Sequence, residues 1–335
     1  FMNITVCGGG SLGLVCSAVL SAAPDTRVSL LTNHPDQWQH LISCSDPEGK
    51  CYQGRLHAVS NQPADVLQDA DWVLLCLPGF LIEETLRRLR PHLGHAAVGS
   101  IVSSTGFFFF AHDVLPPETP LFGFRRTPFI ARVAEYGSKG LLLGYKPEIQ
   151  VATEHMSDCE AFRQLTERLF CTPTVLLDNF YEASLTNSNP ILHTGRLYTL
   201  WHDYQGEALP RPILFYREWT DEASELLIRM DAEFMKLLDR LPQGSHPIPS
   251  LLTYYESHDA ASLTAKIRSI SAFQSIVAPM QQGPTGWVPD FGSRYFTEDF
   301  PFGLRFIRDL AHTHHVATPT IDRVYEWGLS VAQTH

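Results

Sequence analysis

The sequence predicts an α/β N-terminal domain with a doubly wound, mainly parallel sheet, followed by an all-α C-terminal domain. Three observations predict it. Short apolar runs alternate with helical patterns through the first half. Those runs are apolar at successive positions, as in strands covered by helices on both faces. The second half turns to long stretches with apolar residues at helical spacing. A chain of 335 residues exceeds one ordinary core and suits two domains, which we place at 1–178 and 179–335.

The elements follow in order. Ile4 to Cys7 reads as a strand, followed by a glycine turn and a helix of small and apolar residues from Leu14 to Ala22. Arg27 to Thr32 is a second strand. Trp72 to Leu77 is a third, ended by Pro78. Ile82 to Leu93 has helical spacing and stops at Gly94, and Ala97 to Val102 is a further buried strand. The four-phenylalanine run, Phe107 to Phe110, reads as packing rather than an exposed aromatic patch. Beyond the boundary, Asp221 to Leu241 sets Leu226, Leu227, Met230, Phe234, Leu237, Leu238 and Leu241 on one stripe. Its first turn is acidic, which suits the helix dipole, and Pro242 and Gly244 end it. Leu263 to Ile276 (closed by Pro279), Leu304 to Leu310 and Ile321 to Leu329 mark three more helices.

Composition narrows the function. Hydrophobic residues at 44% against 18% charged indicate a packed globular protein. A net charge of -11 repels phosphate backbones and argues against a nucleic-acid partner. No run reaches the roughly 18–20 apolar residues of a membrane span, because Pro78 and Gly79 interrupt the best candidate. Met2 reads as the natural start, with no signal peptide behind it, so a cytoplasmic protein is expected. The seven cysteines are odd in number and form no C-x-x-C pair, which predicts reduced core residues rather than disulfides or a metal site. His312 and His315 share a helix face, but no nearby cysteine or convincing acidic ligand completes a metal set, so a solvated helix end is expected.

Gly8, Gly10 and Gly13 form G-x-G-x-x-G between the first strand and the first helix. In that context the pattern predicts a Rossmann dinucleotide site. Gly8 serves the tight turn, Gly10 lets the pyrophosphate approach, and Gly13 lets helix and strand pack closely. The helix start, with Ser11 and Leu12, offers N–H groups to phosphate. Pro78 is placed in the same site. An NAD site carries an acid about twenty residues on. Here the second strand ends in Thr32, Asn33 and His34, with no carboxylate to repel a 2′-phosphate. The reading is therefore NADP(H) preferred, with NAD(H) use still open.

Reduction of a carbonyl or imine also needs a proton donor, a group that orients it and a cation for a substrate carboxylate. Two segments could supply them, Asn187 to His193 and Ser293 to Pro301. Together with TPTIDRVYEWG at Thr318 to Gly328 and the glycine motif, NPILH (Asn189 to His193) and SRYFTEDFPFGL (Ser293 to Leu304) make the whole chain resemble the octopine/nopaline (opine) dehydrogenase family. Gly123 to Lys146 resembles the branch that makes opine metallophores of the staphylopine type. The resemblance implies that His193 is the catalytic histidine, Asp299 its carboxylate partner, Arg294 the arginine for a substrate carboxylate and Asn189 an active-site amide. A carboxylate beside imidazole favours its charged form and fixes its tautomer. Arginine offers carboxylate a bidentate fork.

The implied reaction is NAD(P)H-dependent reductive condensation of a 2-keto acid, pyruvate or 2-oxoglutarate, with the amino group of an amino acid or amino-acid-derived amine. The branch resemblance makes it the last step of opine metallophore biosynthesis. A homodimer is a further expectation. The alternatives are a 2-keto acid or ketopantoate-type reductase and a non-catalytic NADP(H) sensor.

Overall fold

A computed structural model describes residues 1–334; His335, the end of the expected second domain, lies outside them. The chain forms two compact units. Phe1–Thr186 with Gly244–His246 make the first, and Asn187–Gln243 with the chain from Pro247 onward make the second.

The first unit is built on eight strands: β1 (Met2–Cys7), β2 (Thr26–Leu31), β5 (Val59–Ser60), β6 (Trp72–Leu75), β7 (Ala97–Ser100), β8 (Leu121–Phe124), β11 (Ile149–Glu154) and β12 (Thr174–Leu176). Their order is β12-β11-β8-β7-β6-β1-β2-β5. Every neighbouring pair is parallel except β8 with β11. The expected doubly wound, mainly parallel sheet is what forms. β6 and β7 are buried at every residue, which is why their sequences do not alternate. Helices α2 (Pro63–Val66), α3 (Ile82–Leu89), α4 (Phe107–Val114), α5 (Cys159–Phe170) and α6 (Phe180–Ser184) complete the unit around α1 (Ser11–Ala22).

A second sheet has no counterpart in the sequence reading. It joins β3 (Leu41–Ser45), β4 (Cys51–Arg55), β9 (Phe129–Glu135) and β10 (Lys139–Tyr145) in the order β4-β3-β10-β9. Helix α1 touches β1 and β2 of the large sheet and all four strands of the small one. A helix packed on so many sides is apolar all round, as α1 is. The small sheet hid in the sequence because its strands are half-solvated and not continuously apolar, with Leu141, Leu143 and Ile130 exposed. Cys7, Cys16, Cys44 and Cys76 are buried as expected, but Cys51, Cys159 and Cys171 are exposed. The core reading thus fails for three cysteines; all seven are free.

The second unit carries α7 (Asn189–Trp201), α8 (Asp221–Arg240), α9 (Leu251–Tyr254), α10 (Ala260–Ser269), α11 (Arg294–Thr297), α12 (Arg305–Thr313) and α13 (Pro319–Thr334). Thr220 caps α8 by accepting the N–H of Ala223. Leu226, Leu227, Met230, Phe234 and Leu237 face the core, each worth about 1.5–3 kcal/mol on full burial. The unit is not wholly α: β13 (Met280–Gly283) and β14 (Gly286–Pro289) make a hairpin. The tetrads are too short and too polar to show a strand period. Helix α10 also stops at Ser269, before the expected Ile276.

One buried acid gives a pH test. Asp231 of α8 accepts the N–H of Leu251 at 2.8 Å. Burial pushes its carboxyl up from 3.8 to about 6, partly offset by that hydrogen bond. The folded state therefore holds this proton more tightly than the unfolded chain. The stabilisation is complete below the unfolded value and is lost as pH rises through about 6. Asp231→Asn should remove that loss. Its stability relative to wild type should grow by up to about 3 kcal/mol between acid and neutral pH. Urea unfolding across that range measures the change; a constant difference would remove Asp231 from the account.

Candidate active site

The dinucleotide turn builds directly on β1. Gly8 has φ +121°, and a Cβ there would stand 2.4 Å from the carbonyl oxygen of Cys76, so no other residue fits. At Gly13 a Cβ would stand 1.9 Å from the carbonyl oxygen of Gly8. Helix α1 therefore starts hard against the turn that feeds it. Beside Gly10 the space is open. No side chain caps α1 and no acid lies in its first turn; the first hydrogen bond inside the helix runs from the N–H of Leu14 to Gly10. An uncapped helix start facing open space suits a pyrophosphate, which Ser11, Leu12 and Gly13 would meet with backbone N–H groups. The residues present fit a dinucleotide.

The remaining expected cofactor residues divide. Asn33 and His34 are exposed at the end of β2. Thr32 is buried, and its hydroxyl lies 2.6 Å from where a Gly9 Cβ would be. Thr32 thus lines the glycine turn rather than standing out from the strand. Tyr136, unmarked in the sequence, brings its hydroxyl to the same point at 3.3 Å. Pro78 precedes the short helical turn after β6.

The second site is in the helical unit. Pro190 sits in the first turn of α7, where its missing N–H costs nothing. Asn189 and His193 lie four residues apart and share a face of that helix. Asp299 immediately precedes a π-helical turn, Phe300–Leu304. Gly303 of that turn lies so close to Pro190 that an added Cβ would come within 2.9 Å of the ring. The ring of Phe300 stands over Gly328 and 6.0 Å from Trp327. Three segments singled out by sequence, around Asn189, Asp299 and Trp327, thus interlock through their small and aromatic residues.

That packing sets His193 Nδ1 2.7 Å from Asp299 Oδ2. The two side chains are 12% and 17% exposed, withdrawn from bulk water yet reachable. A carboxylate accepts, so Nδ1 carries the hydrogen and the neutral ring holds its lone pair on Nε2. Nε2 does not stand open: the Tyr216 hydroxyl lies 2.9 Å from it. Phe215 and Tyr295 flank the imidazole at ring distances of 5.6 and 4.8 Å. Burial first, then Asp299, pushes the Tyr295 hydroxyl up, which keeps it neutral. Arg294 opens α11, exposed to solvent, five positions before Asp299.

Carboxylates near the two possible metal clusters have other work. Asp178, Glu182 and His246 bring ligand atoms within 4.8 Å of one another. Glu182 accepts N–H groups of Asp178, Asn179 and His246, and Asp178 accepts that of Ser245. His312 meets Asp322 of α13 at 3.3 Å, an acid that sequence proximity did not reveal. Asp322 also holds Arg308 at 3.4 Å.

Residues 176–332 match the family model for the α-helical domain of NAD/NADP octopine/nopaline dehydrogenase. Tauropine dehydrogenase of Arabella iricolor is 26% identical, with 97% of this chain and 90% of that protein covered. Octopine dehydrogenase solved with NADH and agmatine superposes with TM-score 0.85 at 22% identity, covering 99% of this chain and 90% of that one. Yersinopine dehydrogenase with NADP+ gives 0.73 at 13% identity, covering 99% and 91%. These findings place the protein among NAD(P)-dependent oxidoreductases acting on CH–NH donors. Within that class, residues 176–332 resemble the α-helical domain of the octopine/nopaline dehydrogenases.

Proposed function

We propose that this protein is an opine dehydrogenase that condenses a 2-keto acid, pyruvate or 2-oxoglutarate, with the amino group of an amino acid or amino-acid-derived amine. The observation that carries the reading is the 2.7 Å pairing of His193 with Asp299 inside the matched helical domain. The amine adds to the keto carbon to give a carbinolamine, and loss of water gives an imine. The reduced dinucleotide supplies the hydride that converts the imine to a secondary amine. His193 holds and moves the proton of the addition and dehydration steps, and Asp299 keeps its hydrogen on Nδ1. Arg294 takes the keto-acid carboxylate in its fork, and Asn189, one turn before His193, orients the substrate by its amide.

NADP(H) is the preferred cofactor on this reading, because no acid follows β2 at Thr32, Asn33 and His34. The finer role, the last step of opine metallophore synthesis of the staphylopine type, rests on the segment Gly123 to Lys146, most of which forms the β9–β10 hairpin and the end of β8. That role calls for a long amino-acid-derived amine rather than a free amino acid.

The test crosses a panel of amino acids and longer amines with pyruvate and 2-oxoglutarate, following NADPH and NADH oxidation with mass spectrometry of products. Oxidation should require both co-substrates and yield a secondary amine, with NADPH used at least as well as NADH. Arg294→Lys should raise the keto-acid KM while dinucleotide affinity holds, since lysine lacks the fork. Oxidation with the keto acid alone would make the protein a reductase. Tight dinucleotide binding with no turnover on any pair would make it a sensor.

A further inference from the structure

Both ring nitrogens of His193 are engaged, and Asp299 accounts for one. Nε2, the nitrogen that an acid/base would turn toward substrate, lies 2.9 Å from the Tyr216 hydroxyl. This phenol is built into place. Tyr216 is 5% exposed, stacks on Phe273 with ring centroids 4.1 Å apart, and runs parallel to Trp219 at 6.0 Å. The backbone on either side of it is clamped by Arg196, which donates to the carbonyl oxygens of Phe215 and Glu218 at 3.0 Å each. Arg196 is itself buried beneath Phe215 and Trp219, and burial pushes its pKa down to about 10. It lies on α7 three residues after His193. One helix therefore carries the imidazole and anchors the turn that presents the phenol to it.

The hydrogen positions follow from the partners. Asp299 takes the Nδ1 hydrogen, so Nε2 of the neutral ring accepts the Tyr216 O–H. When the ring is protonated at Nε2, the same contact reverses and the ring donates to the phenol oxygen. The contact survives either proton state without rearrangement. Burial, then Tyr295, Tyr255 and Asp299, pushes the Tyr216 hydroxyl well above the ordinary tyrosine range. A standing phenolate is therefore disfavoured, and the hydroxyl can release a proton only as it receives another. A ring stacked on one side and clamped through its backbone does not swing aside to expose Nε2.

We propose that Tyr216 is a catalytic residue, the outer member of an Asp299–His193–Tyr216 proton array, and that its hydroxyl is the group that meets the reacting oxygen. In dehydration, Tyr216 gives its proton to the carbinolamine hydroxyl, which leaves as water. The C–O bond breaks as the amine lone pair forms C=N. The protonated His193 passes its Nε2 proton to the phenol oxygen at the same time. Asp299 keeps the Nδ1 hydrogen throughout. His193 ends neutral and is recharged from solvent, which supplies the one proton that reductive condensation consumes. The role rests on the opine dehydrogenase reading.

The test is Tyr216→Phe, which keeps the stacked ring and removes only the hydroxyl. Relay through the phenol predicts a kcat lower by about 10²-fold or more, with the melting temperature and dinucleotide affinity unchanged. It also predicts loss of the kcat–pH limb that reports the array. If the phenol merely covers Nε2, the variant will match or exceed wild-type kcat, and the proposal falls. Should the variant fold poorly, fluorotyrosine at position 216 keeps the shape and makes the phenol more acidic. The relay then requires that limb to move to lower pH, and an unmoved limb overturns it. Wild-type protein with no amine-dependent oxidation would instead overturn the opine reading itself. An active wild type with an unimpaired Tyr216→Phe variant would overturn only the relay.

Discussion

His193→Ala is expected to cut turnover by about 10²–10⁴-fold, the usual contribution of a positioned acid/base. Folding should survive, because the imidazole stands at the partly exposed edge of the helical core and not within it. Dinucleotide affinity should survive as well, because the glycine turn belongs to the other unit. Asp299→Asn should also be costly, since it removes the charge that faces Nδ1 at 2.7 Å and weakens control of the tautomer. The double variant should lose little more than the worse single one, because both substitutions disable one unit. Steady-state kcat for the four proteins, with fluorescence titration of NADPH and thermal unfolding, makes the comparison. Full additivity would mean that the two side chains work separately, and the 2.7 Å contact would then carry no catalytic meaning.

Gly13→Ala should strike the other unit. The new methyl would stand 1.9 Å from the carbonyl oxygen of Gly8, and that oxygen cannot yield easily. Gly8 is held at φ +121° with the Cys76 backbone behind it. Helix α1 must move away from β1, and it is buried from Gly13 to Leu20. Overpacking of this kind costs about 1–3 kcal/mol. If the cost falls on the turn, dinucleotide affinity drops by about 5- to 150-fold. Titration with NADPH and a melting curve divide the cost between binding and stability. A variant unchanged in both would show that the turn has more room than its backbone indicates.

The two sites were legible to different degrees. The glycine turn is a local device: four glycines within six residues, a strand before and a helix after. The spacing of the glycines and the strand and helix around them all lie within one short segment, so spacing sufficed; the Cys76 backbone and the Thr32 and Tyr136 hydroxyls that crowd the turn come from elsewhere. The pairing of His193 with Asp299 spans 106 positions. It could be named only through the resemblance of NPILH and SRYFTEDFPFGL to a family, because no periodicity links residues so far apart. Tyr216 had no such mark. It is one of 11 tyrosines, in a segment without glycine motif or helical stripe. Its importance comes from Arg196 and Phe273, which reach it from α7 and from the turn after α10. A search for aromatic residues near His193 in sequence could not have found it, since Tyr216 lies 23 positions beyond His193.

By itself, the sequence determined the buried parallel strands, the long amphipathic helices and the dinucleotide turn. Continuous burial, helical period and glycine spacing are all properties of neighbouring residues. Tertiary structure alone decided that a second, half-solvated sheet wraps α1, and that a hairpin interrupts the helical unit. It also decided that Nε2 of His193 faces a phenol. Each of these outcomes is a contact between distant segments. Its energy depends on what packs on the far side of a strand or ring, and that surface does not exist until the chain has folded.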